Sequence, residues 1–321
     1  MRSFKELSAI FENHFNKRQF PDAPATLYDA AQYILSIGGK RVRPVCVLLA
    51  NELFGELNND ALNVASAIEL FHNFSLIHDD IMDKAPLRRG METVHTKYNE
   101  PTAILAGDVM MVEAYGRISE VNAAFIPPIL RLFNKTSKEV CEGQQLDMDF
   151  ETKSTVTHDE YLQMITLKTS VLLAASLQMG AILGGASAQN QQHIYEFGKN
   201  LGIAFQVQDD YLDAYGDPEK FGKQVGGDII ANKKTFLMIH ALSVATPEQK
   251  NELISLFEYN GSDKVQKVLD IFNACDVAVW AGELKEKYYK IAMQHLEDTA
   301  VVSSRKTALK ELAQYLLQRD S

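Results

Sequence analysis

Two short acidic motifs, Asp79-Asp80-Ile81-Met82-Asp83 and Asp209-Asp210-Tyr211-Leu212-Asp213, carry the strongest chemical signal in the chain. Residues four apart share one face of a helix, so Asp79 stacks over Asp83 and Asp209 over Asp213. Like charges at that spacing destabilise a helix by ~0.2–0.5 kcal/mol per pair, which calls for a compensating cation. Magnesium suits the role: it takes one or two carboxylates, keeps some waters and completes its shell with substrate phosphate oxygens. An acidic run is also commonly just a solvated helix face. The approaches argue against that here. Phe71, Phe74, Leu76 and Ile77 precede the first cluster, and Leu201, Ile203, Phe205 and Val207 the second. An acid cluster ending an apolar helix reads as a site at the mouth of a cavity.

Basic residues lie near these acids. Gly39-Lys40-Arg41-Val42-Arg43-Pro44 sets Lys40 and Arg43 three apart at a turn opening into a helix, and Arg88-Arg89-Gly90 follows the first Asp motif. Guanidinium forks and ammonium groups bind phosphate, and helix N-termini add backbone donors. Each group alone could equally neutralise a neighbouring aspartate or line a solvated face. Together with the Asp motifs they describe a site for two diphosphates, one bridged by metal and one held by cations. No Ser-His-Asp or Cys-His nucleophile stands out.

The elements that must position these residues are helical. Val64, Ala67, Ile68, Phe71 and Phe74 follow the three-and-four spacing of an amphipathic helix, and Leu172 to Leu183 reads as a helix buried on all sides. Sustained period-two alternation is hard to find, so the fold class is all-α. Gly38-Gly39, Pro44, Pro86, Gly90, Pro127-Pro128, Gly184-Gly185, Gly216-Asp217-Pro218 and Gly226-Gly227 punctuate the helices without forming a linker. One domain over residues 1–321 follows. The net charge of -10 disfavours a nucleic-acid partner. The three cysteines, Cys46, Cys141 and Cys275, form no zinc-type pair, and Cys46 reads as a small buried hydrophobe. The first residues lack the apolar core of a signal peptide, and no uninterrupted apolar stretch suggests a stable membrane span. The expectation is a soluble, cytoplasmic protein.

In ordered motifs from about Ile34 to Thr235 the sequence resembles the trans-prenyl diphosphate synthases. The matching segments are Gly38–Pro44, His72, Asp79–Asp83, Arg88–Gly90, Gly143–Asp147, Lys168-Thr169, Gln208–Asp213, Gly222-Lys223 and Asn232-Lys233-Lys234. The resemblance implies a single large bundle of antiparallel helices around a central cavity, of the isoprenoid synthase type, and a homodimer. It implies three magnesium ions, two bound by Asp79 and Asp83 and a third by Asp209. Asp80 and Asp210 join these motifs as catalytic residues. An allylic diphosphate is gripped there with help from Arg88, Lys168, Lys223 and Lys233. Isopentenyl diphosphate occupies a metal-free cationic pocket of Lys40, Arg43, His72 and Arg89. Diphosphate loss leaves an allylic cation, faced by Lys168, Thr169 and Gln206 and attacked by the isopentenyl double bond. The freed diphosphate takes the departing proton.

Phe74, Ser75 and Phe71 precede the first Asp motif, where the growing chain would run. One aromatic there and no insertion in the motif resemble geranylgeranyl synthases of the archaeal type, so a C20 product is expected, with C15 as the alternative. The phenylalanines could also be ordinary core. A class I terpene cyclase would carry an Asn/Ser/Glu triad in place of the second motif, and a non-catalytic regulatory subunit would have lost aspartates. The chain shows neither feature.

Overall fold

The structure is a computed structural model and describes residues 1–216 and 226–317. In chain order the helices are α1 (Phe4–Phe15), α2 (Ala25–Ser36), α3 (Val42–Phe54), α4 (Asn59–Met82), α5 (Val94–Lys97), α6 (Glu100–Ser119), α7 (Ile126–Thr152) and α8 (His158–Ile165). A π turn over Thr166–Ser170 leads into α9 (Val171–Leu183) and α10 (Ala188–Tyr215). Then come α11 (Gly227–Ile230), α12 (Phe236–Val244), α13 (Pro247–Glu258), α14 (Lys264–Ala274), α15 (Val277–Asp298) and α16 (Ser303–Leu317). The all-α expectation holds, with one local exception among the described residues. The loop after the first Asp motif is a small antiparallel hairpin, β1 (Leu87–Arg88) against β2 (Met91–Glu92).

The punctuation residues act mainly at helix ends. Pro127-Pro128 sit in the first turn of α7, where missing N–H donors cost nothing. The Asn58 side chain caps α4 through the Ala61 amide, and Thr157 with Glu160 forms a capping box that starts α8. The chain clusters into two compact units. The first comprises Met1–Lys135, Ala175–Tyr195 and Ala300–Ala308; the second comprises Thr136–Ala174, Glu196–Thr299 and Leu309 onward.

In the first unit α4 packs on α3 and α6. Its core includes Leu48, Leu49 and Leu53 of α3, Ile68, Leu70 and Phe71 of α4, and Met110 of α6, all fully buried. Each such side chain contributes about 1.5–3 kcal/mol of burial. Cys46 is buried as expected, and burial pushes its thiol up to about 12. In the second unit α8, α12, α14 and α15 share a core with Tyr161, Ile165, Phe236, Val268, Phe272 and Ala281.

The helical run His158–Leu183 is 26 residues long with a mean hydropathy of 1.4 in its most apolar window. By length and composition it could cross a membrane, although no uninterrupted apolar stretch of that length occurs in it. Within the protein 67% of that window is buried, as in a core helix.

Candidate active site

The cationic residues of the first unit are sorted by one left-handed backbone. Arg41 precedes α3 with φ 50° and turns its side chain inward, pairing with Glu69 of α4 and donating to the Leu35 carbonyl at 2.8 Å. Glu69 also accepts from Asn73 Nδ2 at 2.9 Å. With Arg41 committed to the interior, Lys40 stays exposed on the loop. Arg43, in the first turn of α3, reaches α4 instead, and its Nη1 lies 3.3 Å from His72 Nε2.

The hairpin brings the next cation. Its turn residues Arg89 and Gly90 have φ 53° and 77°, the two positive values that a type I′ turn needs. Arg89 Nη1 donates to the Gly38 carbonyl. A Cβ on Gly39, at φ 155°, would lie 2.6 Å from the same nitrogen, so a larger residue there would displace the guanidinium from the loop. Burial, reinforced by Arg43, Arg89, Arg88 and Arg41, holds the His72 imidazole well below its usual range. Burial also lowers the Arg43 and Arg89 guanidinium values, with Arg88 adding to this at Arg89 and Glu69 opposing it at both. Like charges held this close are suited to an anion.

The first Asp motif lies at the C-terminal end of α4. Asp83 is the C-cap residue and its N–H donates to the Asp79 carbonyl at 2.9 Å, so the two acids stack as their spacing requires. Asp80 points elsewhere. It is buried and accepts two bonds of 2.9 Å from Arg88 Nε, while Arg88 Nη2 stands 3.4 Å from Asp79. Burial lifts the Asp80 carboxyl above its ordinary value, and the Arg88 pair offsets this only in part.

Below the motif, Phe71 is fully buried with its ring 5.4 Å from Phe133 and 5.6 Å from Phe74. Phe74 is only half-buried and meets His78 edge-on at 4.7 Å. Ser75 Oγ donates to the His72 carbonyl at 2.8 Å. Phe71 is thus core, whereas Phe74 retains surface.

In the second unit α10 and the segment α8–π turn pair antiparallel. Tyr161 Oη donates to Asp210 at 2.9 Å, Thr169 Oγ1 reaches Gln206 Oε1 at 3.4 Å, and Ser170 abuts Gly202. Gln206 Nε2 donates to the other oxygen of Asp210 at 2.9 Å. Burial pushes the Asp210 carboxyl up to about 8, with the Gln206 and Tyr161 bonds opposing and the Asp228 and Asp209 charges adding to it. Lys168 Nζ pairs with Asp147 of α7 at 2.5 Å. The approach depends on Gly143, where a Cβ would lie 2.2 Å from the Lys168 backbone nitrogen.

Asp209 is half-buried, and no described residue donates a hydrogen bond to it. Asp213 accepts from the Asp228 amide at 3.0 Å and so anchors the start of α11. Lys233 stands 3.7 Å from Asp228 and is half-exposed. Lys223 lies outside the described residues.

Sequence reasoning missed four participants. Arg41 carries no helical-spacing signal, because its left-handed backbone breaks the register. Tyr161 looked like any aromatic on an amphipathic helix. Lys234 donates to the Phe150 and Glu151 carbonyls at 2.7 and 3.3 Å, stabilising the C-terminus of α7. Phe133 backs Phe71 from a helix distant in sequence. Only Lys234, next to the proposed Lys233, carried a usable sequence signal.

The donors fit a hard divalent cation. Asp79 and Asp83 offer all-oxygen ligands at the C-terminal end of a helix, where negative charge is disfavoured by ~0.3–1 kcal/mol. Asp209 occupies the equivalent end of α10. Among the described residues no three His, Cys, Asp or Glu side chains converge on one point.

The family model described as Polyprenyl synthetase matches residues 24–275. The chain is 39% identical over 298 residues to the short chain isoprenyl diphosphate synthase of Methanothermobacter thermautotrophicus, covering 92% of this chain and 91% of that one. It is 38% identical over 301 residues to the geranylgeranyl diphosphate synthase of Methanosarcina mazei, covering 92% and 91%. A crystal structure of geranylgeranyl pyrophosphate synthase matches with TM-score 0.94 and 42% identity over 100% of both chains. The chain belongs to the polyprenyl synthetase family. It has the all-α isoprenoid synthase fold and is a prenyltransferase.

Proposed function

We propose that this prenyltransferase is a short-chain trans-prenyl diphosphate synthase whose product is geranylgeranyl diphosphate. The observation that carries the reading is on α4. One stretch of that helix presents His72 to the Arg43–Arg89 cluster, and its C-terminal end presents Asp79 and Asp83. Two distinct phosphate-binding chemistries on one helix suit an enzyme that takes two diphosphates. A cyclase, which takes one, has no use for the metal-free pocket.

Isopentenyl diphosphate is assigned to Lys40, Arg43, His72 and Arg89. The allylic diphosphate is assigned to Asp79, Asp83 and Asp209 with three magnesium ions, and to Arg88, Lys168, Lys223 and Lys233. Magnesium, when bound, stabilises charge on the departing diphosphate. The carbon–oxygen bond of the allylic ester breaks, and the isopentenyl double bond forms the new carbon–carbon bond. The proton released beside it passes to the freed diphosphate. Thr169 and Gln206, tied together on the second unit, direct oxygen dipoles at the allylic cation. Arg88, fixed by Asp80, is held ready for phosphate rather than free to wander.

The C20 product is supported by the names of the similar proteins and by a single half-buried aromatic, Phe74, above a buried Phe71. A single domain over 1–321, a homodimer and a cytoplasmic location belong to the same proposal and rest on the family resemblance. Purified protein with magnesium, isopentenyl diphosphate and C5, C10 or C15 allylic primers is expected to yield C20 diphosphate. No elongation from any primer would sink the proposal; arrest at C15 would overturn the product assignment alone.

A further inference from the structure

Both oxygens of Asp210 are held from opposite sides. Gln206, one turn earlier on α10, donates to Oδ1, and Tyr161 of α8 donates to Oδ2, each at 2.9 Å. Asp210 is 4% exposed and Tyr161 7%. The phenol has little freedom, because its ring meets Phe236 of α12 edge-on at 4.6 Å. Asp209 is the adjacent residue and therefore points ~100° away around the helix. Fixing Asp210 inward fixes the rotation of the last turns of α10, and with it the direction of Asp209.

We propose that Tyr161 is a positioning residue for the diphosphate grip of the second Asp motif, acting through Asp210. This deepens the synthase reading above and rests on it. The hydroxyl touches neither substrate in this assignment. Its contribution is to keep a charge-bearing neighbour in one orientation before a ligand arrives, which reduces the ordering cost of binding. Burial holds the phenol well above its usual range, so it stays a hydrogen-bond donor.

The test is Tyr161→Phe, which keeps the ring and its Phe236 contact and deletes only the hydroxyl. Binding of inorganic diphosphate in magnesium, measured by calorimetry on the full chain, is expected to weaken about tenfold, the upper end of the scale for one ordinary hydrogen bond. In turnover, KM for the allylic diphosphate should rise by a similar factor. KM for isopentenyl diphosphate, held in the other unit, should not move. A merely structural tyrosine would lower the melting temperature and leave both affinities alone, and that result overturns the proposal.

An Asp210→Asn background supplies the second arm. Tyr161→Phe should add no further loss there, whereas an additional tenfold loss would show that Tyr161 does not act through Asp210. The two readings fail separately. A wild-type chain that binds magnesium diphosphate but elongates no primer refutes the synthase, and the binding comparison still decides the role of Tyr161. A wild-type chain that does not bind it refutes both.

Discussion

Arg43 Nη1 stands 3.3 Å from His72 Nε2, with Arg41, Arg88 and Arg89 adding positive charge around the same imidazole. A histidine so placed resists protonation in the folded protein. The unfolded chain takes its proton near an ordinary pKa of about 6.5, while the folded chain does not. The stability that His72 contributes is therefore complete above that value and is lost as pH falls below it toward the depressed folded value. His14, His158 and His240 are lowered mainly by burial and act in the same direction. Thermal midpoints measured from pH 8 to pH 5 should fall less steeply in His72→Gln than in the wild type. Parallel curves would remove His72 from the account.

Replacing Asp79 or Asp209 by alanine should lower turnover by about 10²–10³-fold, the usual scale for deleting one group that stabilises developing charge. Far-UV circular dichroism should be unchanged, since each substitution also removes a carboxylate from the unfavourable end of a helix. Near-normal rates in either variant would reject its metal-ligand role.

The Arg41–Glu69 pair is 8% and 4% exposed, so each partner is costly without the other. Glu69→Ala is expected to destabilise by about 3–5 kcal/mol in chemical denaturation, because Arg41 is left charged and buried. An apolar pair, Arg41→Met with Glu69→Leu, should recover much of that loss. Should the single and double variants prove equally unstable, the backbone turn rather than the charge pair would be the source of stability.

Phe74→Ala is expected to lengthen the product beyond C20, read by chromatography of the hydrolysed products, if this ring sets the floor of the chain tunnel. Phe71→Ala should instead cost about 3–5 kcal/mol of stability, as for any large aromatic removed from a core. Unchanged product length in Phe74→Ala would move the floor elsewhere.

Two glycine substitutions should act in opposite directions. Gly143→Ala drives a methyl group to within 2.2 Å of the Lys168 backbone and should destabilise by about 1–3 kcal/mol. Gly282 lies inside α15 with nothing within 4 Å of a new Cβ, so Gly282→Ala should stabilise by about 0.5–1 kcal/mol. Equal effects at both sites would contradict the packing at Gly143.

Legibility in the sequence followed the range of the interaction. Helix identity and the stacking of Asp79 on Asp83 depend on residues within one or two turns, and spacing alone predicts them. Asp80 is the instructive intermediate: its position in the motif suggested chemistry, while its burial against Arg88 depends on a hairpin that no period-two pattern announced. Which of Arg41 and Arg43 turns inward depends on one left-handed dihedral. The Tyr161–Asp210 bond joins residues 49 apart, and no local pattern encodes that.

The π turn at Thr166–Ser170 has a consequence for helical phase. In an unbroken α-helix, Tyr161 and Thr169 would stand ~80° apart, eight steps of ~100° less two full circles. The π turn takes in one extra residue by under-winding, which subtracts about one step of ~100° and nearly cancels that offset, so both side chains address α10. The bulge therefore works as a phase corrector between the Tyr161–Asp210 clamp and the Thr169 hydroxyl that meets Gln206. A one-residue deletion there would straighten the helix and leave every functional side chain in the sequence, yet uncouple the two ends of the device.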